Sequence, residues 1–200
     1  MRQRLLPAVL TIVAALSLAR PAQAHPHVWL DSVMTFVFEG DRLTSLRMTW
    51  SFDEFFGTAI IRRFDENRNG RFEPAENTKL EAGAFAALKD YGYFIYIKID
   101  GKPVIIERIT GFQASTRNGQ LVYDFTVMLP APVDPATAEF IVSLFDETYF
   151  VEVSLDANDP VRFAGMAPGR CSFAIKEEGG LSTFGVTAPQ TVALSCRPAP

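Results

Sequence analysis

The chain contains little histidine, cysteine or charge. Its 200 residues include two histidines, two cysteines and 21% charged residues, with a formal net charge of −4. No basic run follows the extreme N-terminus, so the sequence offers no general attraction to a phosphate backbone, and we expect no nucleic-acid partner. The scarcity of histidine disfavours a hydrolytic triad, and no G-x-S-x-G, phosphate-loop or dinucleotide motif is present. We therefore expect a protein that is not an enzyme.

Long apolar segments are absent apart from one near the N-terminus. This segment, Leu5–Leu18, follows two arginines and precedes Ala22–Ala24, the small-x-small pattern that signal peptidase reads. It has roughly 14 residues, short of the roughly 20 that span a bilayer. The sequence thus predicts a signal peptide over residues 1–24, cleaved after Ala24, and a mature periplasmic protein without a membrane span. Its removal takes away three arginines and no acidic residue, which moves the net charge from −4 to −7.

The two cysteines, Cys171 and Cys196, have no third cysteine that could compete for pairing. Export would place them in an oxidising compartment, where such a pair forms a disulfide. The bond would close a loop of roughly 26 residues and stabilise the fold by roughly 3 kcal/mol in the chain-entropy model. The alternative is a thiolate metal site or a redox pair, but the C-x-x-C spacing of such sites is missing.

Alternating apolar and polar residues predict about ten short strands separated by turns. The first hairpin spans Val28–Phe52 with its turn at Gly40, and the strongest hairpin signal is Asn118-Gly119. The other predicted strands are 93–100, 104–109, 111–116, 121–129, 139–144, 150–155, 172–175 and 191–195. This pattern favours an α+β fold in which residues 25–200 form one domain, an antiparallel β-sandwich with a helix-loop-helix insertion at 53–90.

The insertion contains a loop that matches the twelve-residue EF-hand pattern D-x-[DN]-x-[DN]-G-x5-E. Apolar residues at helical spacing predict a helix before the loop, over 53–64, and another over 75–88, which is the context of an EF-hand. Gly70 stands at the sharp turn in position 6, and Phe72 at the apolar position 8. The predicted calcium ligands are Asp65, Asn67, Asn69, the carbonyl of Arg71, Glu73 acting through water, and the bidentate carboxylate of Glu76.

The alternative for this loop is a segment held by hydrogen bonds alone, without a metal ion. If calcium binds, Arg68 and Arg71 oppose the three carboxylates, so we expect a dissociation constant of roughly 0.1–1 mM, typical of extracellular modules. A site of that affinity acts as a structural clamp, because it does not respond to the low calcium concentrations that sensors detect.

Both histidines, His25 and His27, lie within three residues of the predicted cleavage site. A terminal amine and two imidazoles suit copper, nickel, cobalt or zinc. Pro26 has no amide proton, so the square-planar site that a third-position histidine forms with copper or nickel is excluded. Further oxygen ligands would come from Asp31, Asp53, Asp146 or Glu147, among which the sequence does not decide. The alternative is a solvated terminus followed by a half-buried polar residue of a strand.

Four segments together resemble a known bacterial family: HPHVW at 25–29, WSFDE at 50–54, the loop at 65–76, and FDETYF at 145–150. That family, of unknown function, is described as the periplasmic component of an uncharacterised ABC-type transport system. The resemblance covers roughly residues 25–165. Members are often encoded beside nickel/cobalt-type membrane transporters. The resemblance therefore implies a role in divalent transition-metal handling, with a membrane metal transporter as partner.

Two other functions remain open. A calcium-stabilised sandwich could bind a protein partner without any transition metal, through a surface built from Trp29, Trp50, Phe55 and Phe56, although we expect most of these side chains to pack in the core. An oxidative copper enzyme could use an N-terminal histidine, but such enzymes place their second histidine far along the chain. The primary expectation is a periplasmic metal-binding accessory protein of a transition-metal transport system, with a structural calcium loop.

Overall fold

The computed structural model describes residues 27–177 and 188–198. The predicted signal peptide and His25 lie outside the described residues. Eleven strands are found in the described part of the chain: β1 (Val28–Glu39), β2 (Arg42–Phe52), β3 (Ile95–Ile99), β4 (Lys102–Val104), β5 (Ile109–Arg117), β6 (Gln120–Val133), β7 (Phe140–Leu144), β8 (Val151–Leu155), β9 (Val161–Ala164), β10 (Cys171–Glu177) and β11 (Gln190–Cys196).

The strands form two sheets that share one hydrophobic core. The first sheet has the order β5-β6-β2-β1-β8, with β9 also paired to β1, and the second has the order β10-β11-β7-β3-β4. Buried residues alternate along β1 because successive side chains point to opposite faces of a strand. Phe36 on β1 and Phe140 on β7 bring the two sheets into contact, with ring centroids 6.0 Å apart. The predicted α+β class is thus confirmed.

The two strongest hairpin predictions are confirmed. β1 pairs with β2 across Gly40, and β5 pairs with β6 across Asn118-Gly119. Both residues of the second turn have positive φ, 52° for Asn118 and 81° for Gly119. This is the conformation that a two-residue turn needs to match the twist of its strands, and asparagine and glycine adopt it readily.

The wholly antiparallel arrangement is wrong for one edge of the first sheet. β8 and β9 both run parallel to β1, with Val28 opposite Val151 and Met34 opposite Val161. Because β7 belongs to the second sheet, the chain crosses between sheets before β8 and reaches β1 without forming a hairpin. β9 was not predicted, because its four residues are too few to show a clear alternation of apolar and polar residues.

The helical insertion begins as predicted but ends differently. It comprises α1 (Glu54–Phe64), α2 (Pro74–Leu80), one π-helical turn (Glu81–Phe85) and a 3-10 segment (Ala86–Phe94). The sequence predicted one helix over 75–88. Gly83 lies in the π-helical turn, where an added Cβ would approach the Phe64 ring to 3.2 Å, so the missing side chain allows this close packing.

The start of β3 is also later than predicted. Gly92, Tyr93 and Phe94 all have positive φ, between 52° and 59°, so these residues cannot begin an extended strand. Tyr93 and Phe94 are buried, and Phe94 packs on Trp50 of β2 with ring centroids 6.1 Å apart. Core packing therefore overrides the strand preference of these two aromatic residues.

The second sheet ends in the predicted disulfide. Cys171 on β10 and Cys196 on β11 are bonded, and they are directly opposite each other in the strand pairing. Within residues 27–177 and 188–198, no helix has the length and apolarity needed to cross a membrane.

Candidate metal-binding site

Two helices frame the loop at 65–76, as the sequence predicts. Asp53 caps α1 by accepting a hydrogen bond from the Phe56 N–H at 2.9 Å. α1 ends at Phe64, and α2 starts with Pro74, whose missing N–H is no loss at a first helical position. The N–H of Glu73 donates to Glu76 Oε2 at 3.1 Å, which sets the entry of the chain into α2.

Asp65, the first predicted calcium ligand, lies at the end of α1 and is only 5% exposed. Its two carboxylate oxygens accept separate hydrogen bonds, Oδ1 from the Asn69 N–H at 3.1 Å and Oδ2 from the Gly70 N–H at 2.9 Å. Gly70 has a φ of +77°, which a glycine adopts without strain. The loop therefore folds back over the Asp65 carboxylate.

The two asparagines of the loop form successive turns around it. Asn67 Oδ1 accepts the Asn69 N–H at 3.0 Å, and Asn69 Oδ1 accepts the Arg71 N–H at 2.8 Å. Both side-chain amides donate to the carboxylate of Glu73. Each of these two side-chain oxygens therefore faces the backbone N–H group that it binds. Phe72 is buried and anchors the loop in the core.

Glu76, the last predicted ligand, closes the loop and is also 5% exposed. Its Oε1 accepts the N–H of Glu66 at 2.8 Å and that of Asn67 at 3.4 Å. Among the described residues, neither Glu76 nor Asp65 forms an ion pair with a lysine or arginine. Two carboxylates are therefore buried at opposite ends of the loop without a compensating cation from the protein, an arrangement that costs free energy.

Glu73 is a third carboxylate in this loop. The interaction with the Glu76 side chain, followed by the hydrogen bond from the Asn69 amide, lowers the pKa of Glu73 to about 2. Glu73 is therefore ionised throughout the neutral range. Its charge adds to the negative potential that a cation in the loop would meet.

The donor set of the loop consists only of oxygen atoms, which suits a hard cation such as calcium. In the part of the chain that the structure describes, no group of three or more histidine, cysteine, aspartate or glutamate side chains is close enough to hold a metal ion. The loop instead combines carboxylates with two asparagine amides and the backbone. A calcium ion in this loop accordingly remains a proposal.

His27 lies at the start of β1 and is exposed. The backbone N–H of His27 donates to the backbone carbonyl of Phe150 at 2.9 Å, and the centroids of the two rings are 5.0 Å apart. The described structure thus places the imidazole against an aromatic side chain, at the point where the chain enters the first sheet.

Two of the candidate oxygen donors have structural partners. Asp53 Oδ2 accepts a hydrogen bond from the backbone N–H of Trp29 at 3.0 Å, and Asp53 also caps α1. Asp146 is 4% exposed, and its carboxylate accepts from the Thr148 hydroxyl and from the N–H groups of Phe150 and Val151. These carboxylates fix the chain around the start of β1, a role that sequence reasoning missed.

The other two candidate donors lie in different surroundings. Burial, followed by repulsion from Asp156 and Glu152, raises the pKa of Asp31. Glu147 lies near the hydroxyl of Tyr96, and its interaction with that hydroxyl contributes to the raised pKa of Tyr96. Among the described residues, none of the four candidates joins His27 in a metal-binding cluster.

The four aromatic residues considered for a partner surface divide into two pairs. Trp29 is 50% exposed and Phe55 is 85% exposed. Trp50 is fully buried and Phe56 packs against the core, so these two side chains take the core positions that were expected for most of the four. Trp50 contacts Phe125 at the centre of the first sheet, with ring centroids 4.6 Å apart.

Comparison with known sequences identifies relatives. Residues 10–179 match a family described as "Protein of unknown function (DUF1007)". An "Uncharacterized 15.5 kDa protein in trpE 3'region" of Spirochaeta aurantia is 29% identical over 125 residues, which cover 62% of this chain and 89% of the relative. An "Uncharacterized protein" of Haemophilus influenzae is 27% identical over 150 residues, which cover 72% of this chain and 69% of the relative. The family match includes the loop at 65–76 and ends before Cys196.

Proposed function

We propose that this protein, which belongs to the DUF1007 family of unknown function, is an exported metal-binding accessory protein. In this proposal a calcium ion clamps the loop at 65–76, and the N-terminal histidines bind a divalent transition metal for a membrane transporter. The protein is not an enzyme in this proposal. The calcium site and the transition-metal site are separate parts of the proposal and have separate tests.

One observation carries the calcium part. Asp65 and Glu76 are each 5% exposed, at the first and last positions of an EF-hand-type loop, and the described structure pairs neither with a basic side chain. A divalent cation between them would compensate both buried charges, because unpaired buried charges are costly. The ligands would be Asp65, Asn67, Asn69, the Arg71 carbonyl, Glu73 and Glu76.

A bound calcium ion would act as a structural clamp. It would join the end of α1 to the start of α2, and the next residue, Asn77, connects α2 to β5 through the Ala114 N–H. Ion binding at the loop would thereby stabilise the insertion against the first sheet. A protein that binds an ion only in its folded state gains stability by mass action.

The calcium test compares melting temperatures of the exported protein with calcium and with a chelator. With a dissociation constant near 1 mM, 10 mM calcium stabilises the fold by about 1.4 kcal/mol. This corresponds to a rise of roughly 3–6 °C for a domain of this size. Glu76→Gln removes the bidentate carboxylate and should abolish most of the rise, whereas Asn69→Ala should reduce it less.

Glu66→Gln is the matched control. It makes the same chemical change in the same loop, but Glu66 is exposed and pairs with Lys79 on the surface. We expect the calcium-dependent rise to survive in this variant. An equal rise in the Glu76→Gln variant would mean that calcium acts elsewhere on the protein.

The transition-metal part rests on the family resemblance and on the two histidines at the predicted mature N-terminus. His27 is exposed, so its imidazole is accessible to a metal ion. Imidazole and amine ligands bind metal only when deprotonated, so affinity should fall as the pH is lowered. The transporter as partner is inferred from the resemblance alone.

The test is calorimetric titration with copper, nickel, cobalt and zinc, with calcium saturating. His25→Ala, His27→Ala and a one-residue extension before His25 should each weaken binding, because each removes or blocks a proposed ligand. Pro26→Ala should strengthen copper and nickel binding, since it restores an amide proton that a square-planar site requires. Equal affinity in all forms would place the metal away from the terminus.

A second candidate function is the binding of a protein partner without a transition metal. It is favoured by the exposure of Trp29 and Phe55, 50% and 85% respectively. If the N-terminal variants bind transition metals no more weakly than the unmodified protein, this function becomes the leading candidate. Trp29→Ala and Phe55→Ala would then be expected to lose the partner without loss of calcium binding.

A further inference from the structure

A cavity of about 630 Å³ lies away from the loop at 65–76 and contains none of the predicted calcium ligands. It is formed by the start of β1, the end of β2, α1, the 3-10 segment and the turn before β8. Aliphatic and aromatic side chains dominate its wall, including Val28, Phe52, Ile60, Leu88 and Phe94. This volume falls within the roughly 300–1,000 Å³ of typical small-molecule sites.

The cavity has an aromatic entrance. Tyr91 and Phe150 both belong to its wall, yet they are 50% and 52% exposed, so they stand where the cavity meets solvent. Phe150 is in ring contact with His27, the first described residue. In the predicted mature chain only two residues precede His27, too few to fill this volume. In the predicted mature chain, the residues before His27 therefore do not fill the cavity.

The described residues that form the wall include no lysine or arginine, so they offer no counter-ion to a buried anion. The acidic residue among them, Asp146, already accepts hydrogen bonds from Thr148, Phe150 and Val151. A charged group inserted here would lose its hydration without compensation. We propose that the cavity binds a small uncharged molecule with an aromatic or aliphatic body.

The first test uses N-phenyl-1-naphthylamine, an uncharged dye whose fluorescence rises in apolar surroundings, with the mature exported protein. Ala84→Phe places a ring into the cavity, because Ala84 is part of its wall. Ala82→Phe is the matched control, since Ala82 is exposed on the same π-helical turn. We expect saturable binding that Ala84→Phe weakens about tenfold or more and that Ala82→Phe leaves unchanged.

Phe150→Ala provides a second variant whose folding is not in question, since Phe150 is half exposed. It should also weaken dye binding, because it removes one side of the entrance. Melting temperatures of all variants check that the fold is retained. No saturable dye binding, or equal binding by the unmodified protein, Ala84→Phe and Phe150→Ala, would overturn the proposal.

The absence of charge is tested by displacing the dye with two molecules of similar shape, 2-ethylnaphthalene and 2-naphthoate. Only the naphthoate is charged, so the hydrocarbon should bind several-fold more tightly. Equal binding of the two molecules to the unmodified protein would overturn the uncharged ligand in the proposal.

Discussion

Asn77 on α2 accepts the backbone N–H of Ala114 on β5 through its Oδ1, at 2.9 Å. Asn77 directly follows Glu76, the last predicted calcium ligand, and β5 is the edge strand of the first sheet. Both residues are buried. This single hydrogen bond therefore connects the end of the proposed calcium loop to the sheet.

Asn77→Ala should lower the free energy of unfolding by roughly 1–3 kcal/mol, because the Ala114 N–H then remains buried without an acceptor. Asn77→Asp keeps an oxygen acceptor at the same position and should keep the hydrogen bond. Lys79→Ala is the surface control, since it removes only an exposed pair with Glu66, worth roughly 0–1 kcal/mol. Urea unfolding measures all three, and a cost for Asn77→Ala no larger than that for Lys79→Ala would contradict the prediction.

The disulfide should contribute to stability through the unfolded state. The Cys171→Ser, Cys196→Ser double variant should unfold with a free energy lower by up to about 3 kcal/mol, because it loses the cross-link of a loop of roughly 26 residues. Reductant should destabilise the unmodified protein and leave the double variant unchanged. Thiol labelling of the native, non-reduced protein should find no free thiol; two reactive thiols would show that the bond is not formed in solution.

Alkaline pH should destabilise the protein through Tyr96. Burial, followed by the interaction with Glu147, raises the pKa of Tyr96 from 10.0 to about 12. The unfolded chain therefore loses this proton at a lower pH than the folded protein does. The contribution of Tyr96 to stability is complete below about pH 10 and is lost as the pH rises to about 12.

Tyr96→Phe should make the loss of stability between about pH 10 and pH 12 shallower, because this group no longer titrates. Tyr149→Phe is the control on an exposed tyrosine. Tyrosinate absorbance of the folded protein should lose one late-titrating group in the Tyr96→Phe variant. The free energy of unfolding is measured with urea at each pH. If it falls equally between about pH 10 and pH 12 in the unmodified protein and in the Tyr96→Phe variant, Tyr96 ionises equally in the folded and unfolded chain.

The exported protein should begin at His25. Intact mass spectrometry of secreted material should show the loss of residues 1–24, because the small-x-small pattern ends at Ala24. Retention of these residues, or cleavage at another position, would remove the terminal amine from the proposed transition-metal site. The calcium proposal would be unaffected by that result.

Local patterns predicted the elements whose geometry depends on neighbouring residues. Asn118-Gly119 specifies its hairpin because both residues accept positive φ. The loop from Asp65 to Glu76 lies between two helices as its spacing requires, and Phe72 is buried at the expected position. Sequence reasoning also paired Cys171 with Cys196, since no other cysteine competes.

Non-local contacts decided the position of Trp50, which was a candidate both for the core and for a surface. A tryptophan on a half-buried strand can face either way, and the register of β2 with β1 and β6 decides that it faces the core. Asp146 was considered as an oxygen donor to a metal ion, but Thr148, Phe150 and Val151 donate hydrogen bonds to it. These donors lie two to five residues further along the chain, so the signal was local and was not recognised in the sequence.

The sequence by itself determined the hairpins, the loop at 65–76 and the cysteine pairing, because each follows from the conformational or chemical preferences of particular residue types. Tertiary structure alone decided the parallel placement of β8 and β9 beside β1. It also decided the meeting of α1, β2 and the 3-10 segment around the apolar cavity. These features depend on which apolar faces pack together across the core, and a periodic pattern identifies such a face without identifying the face that covers it.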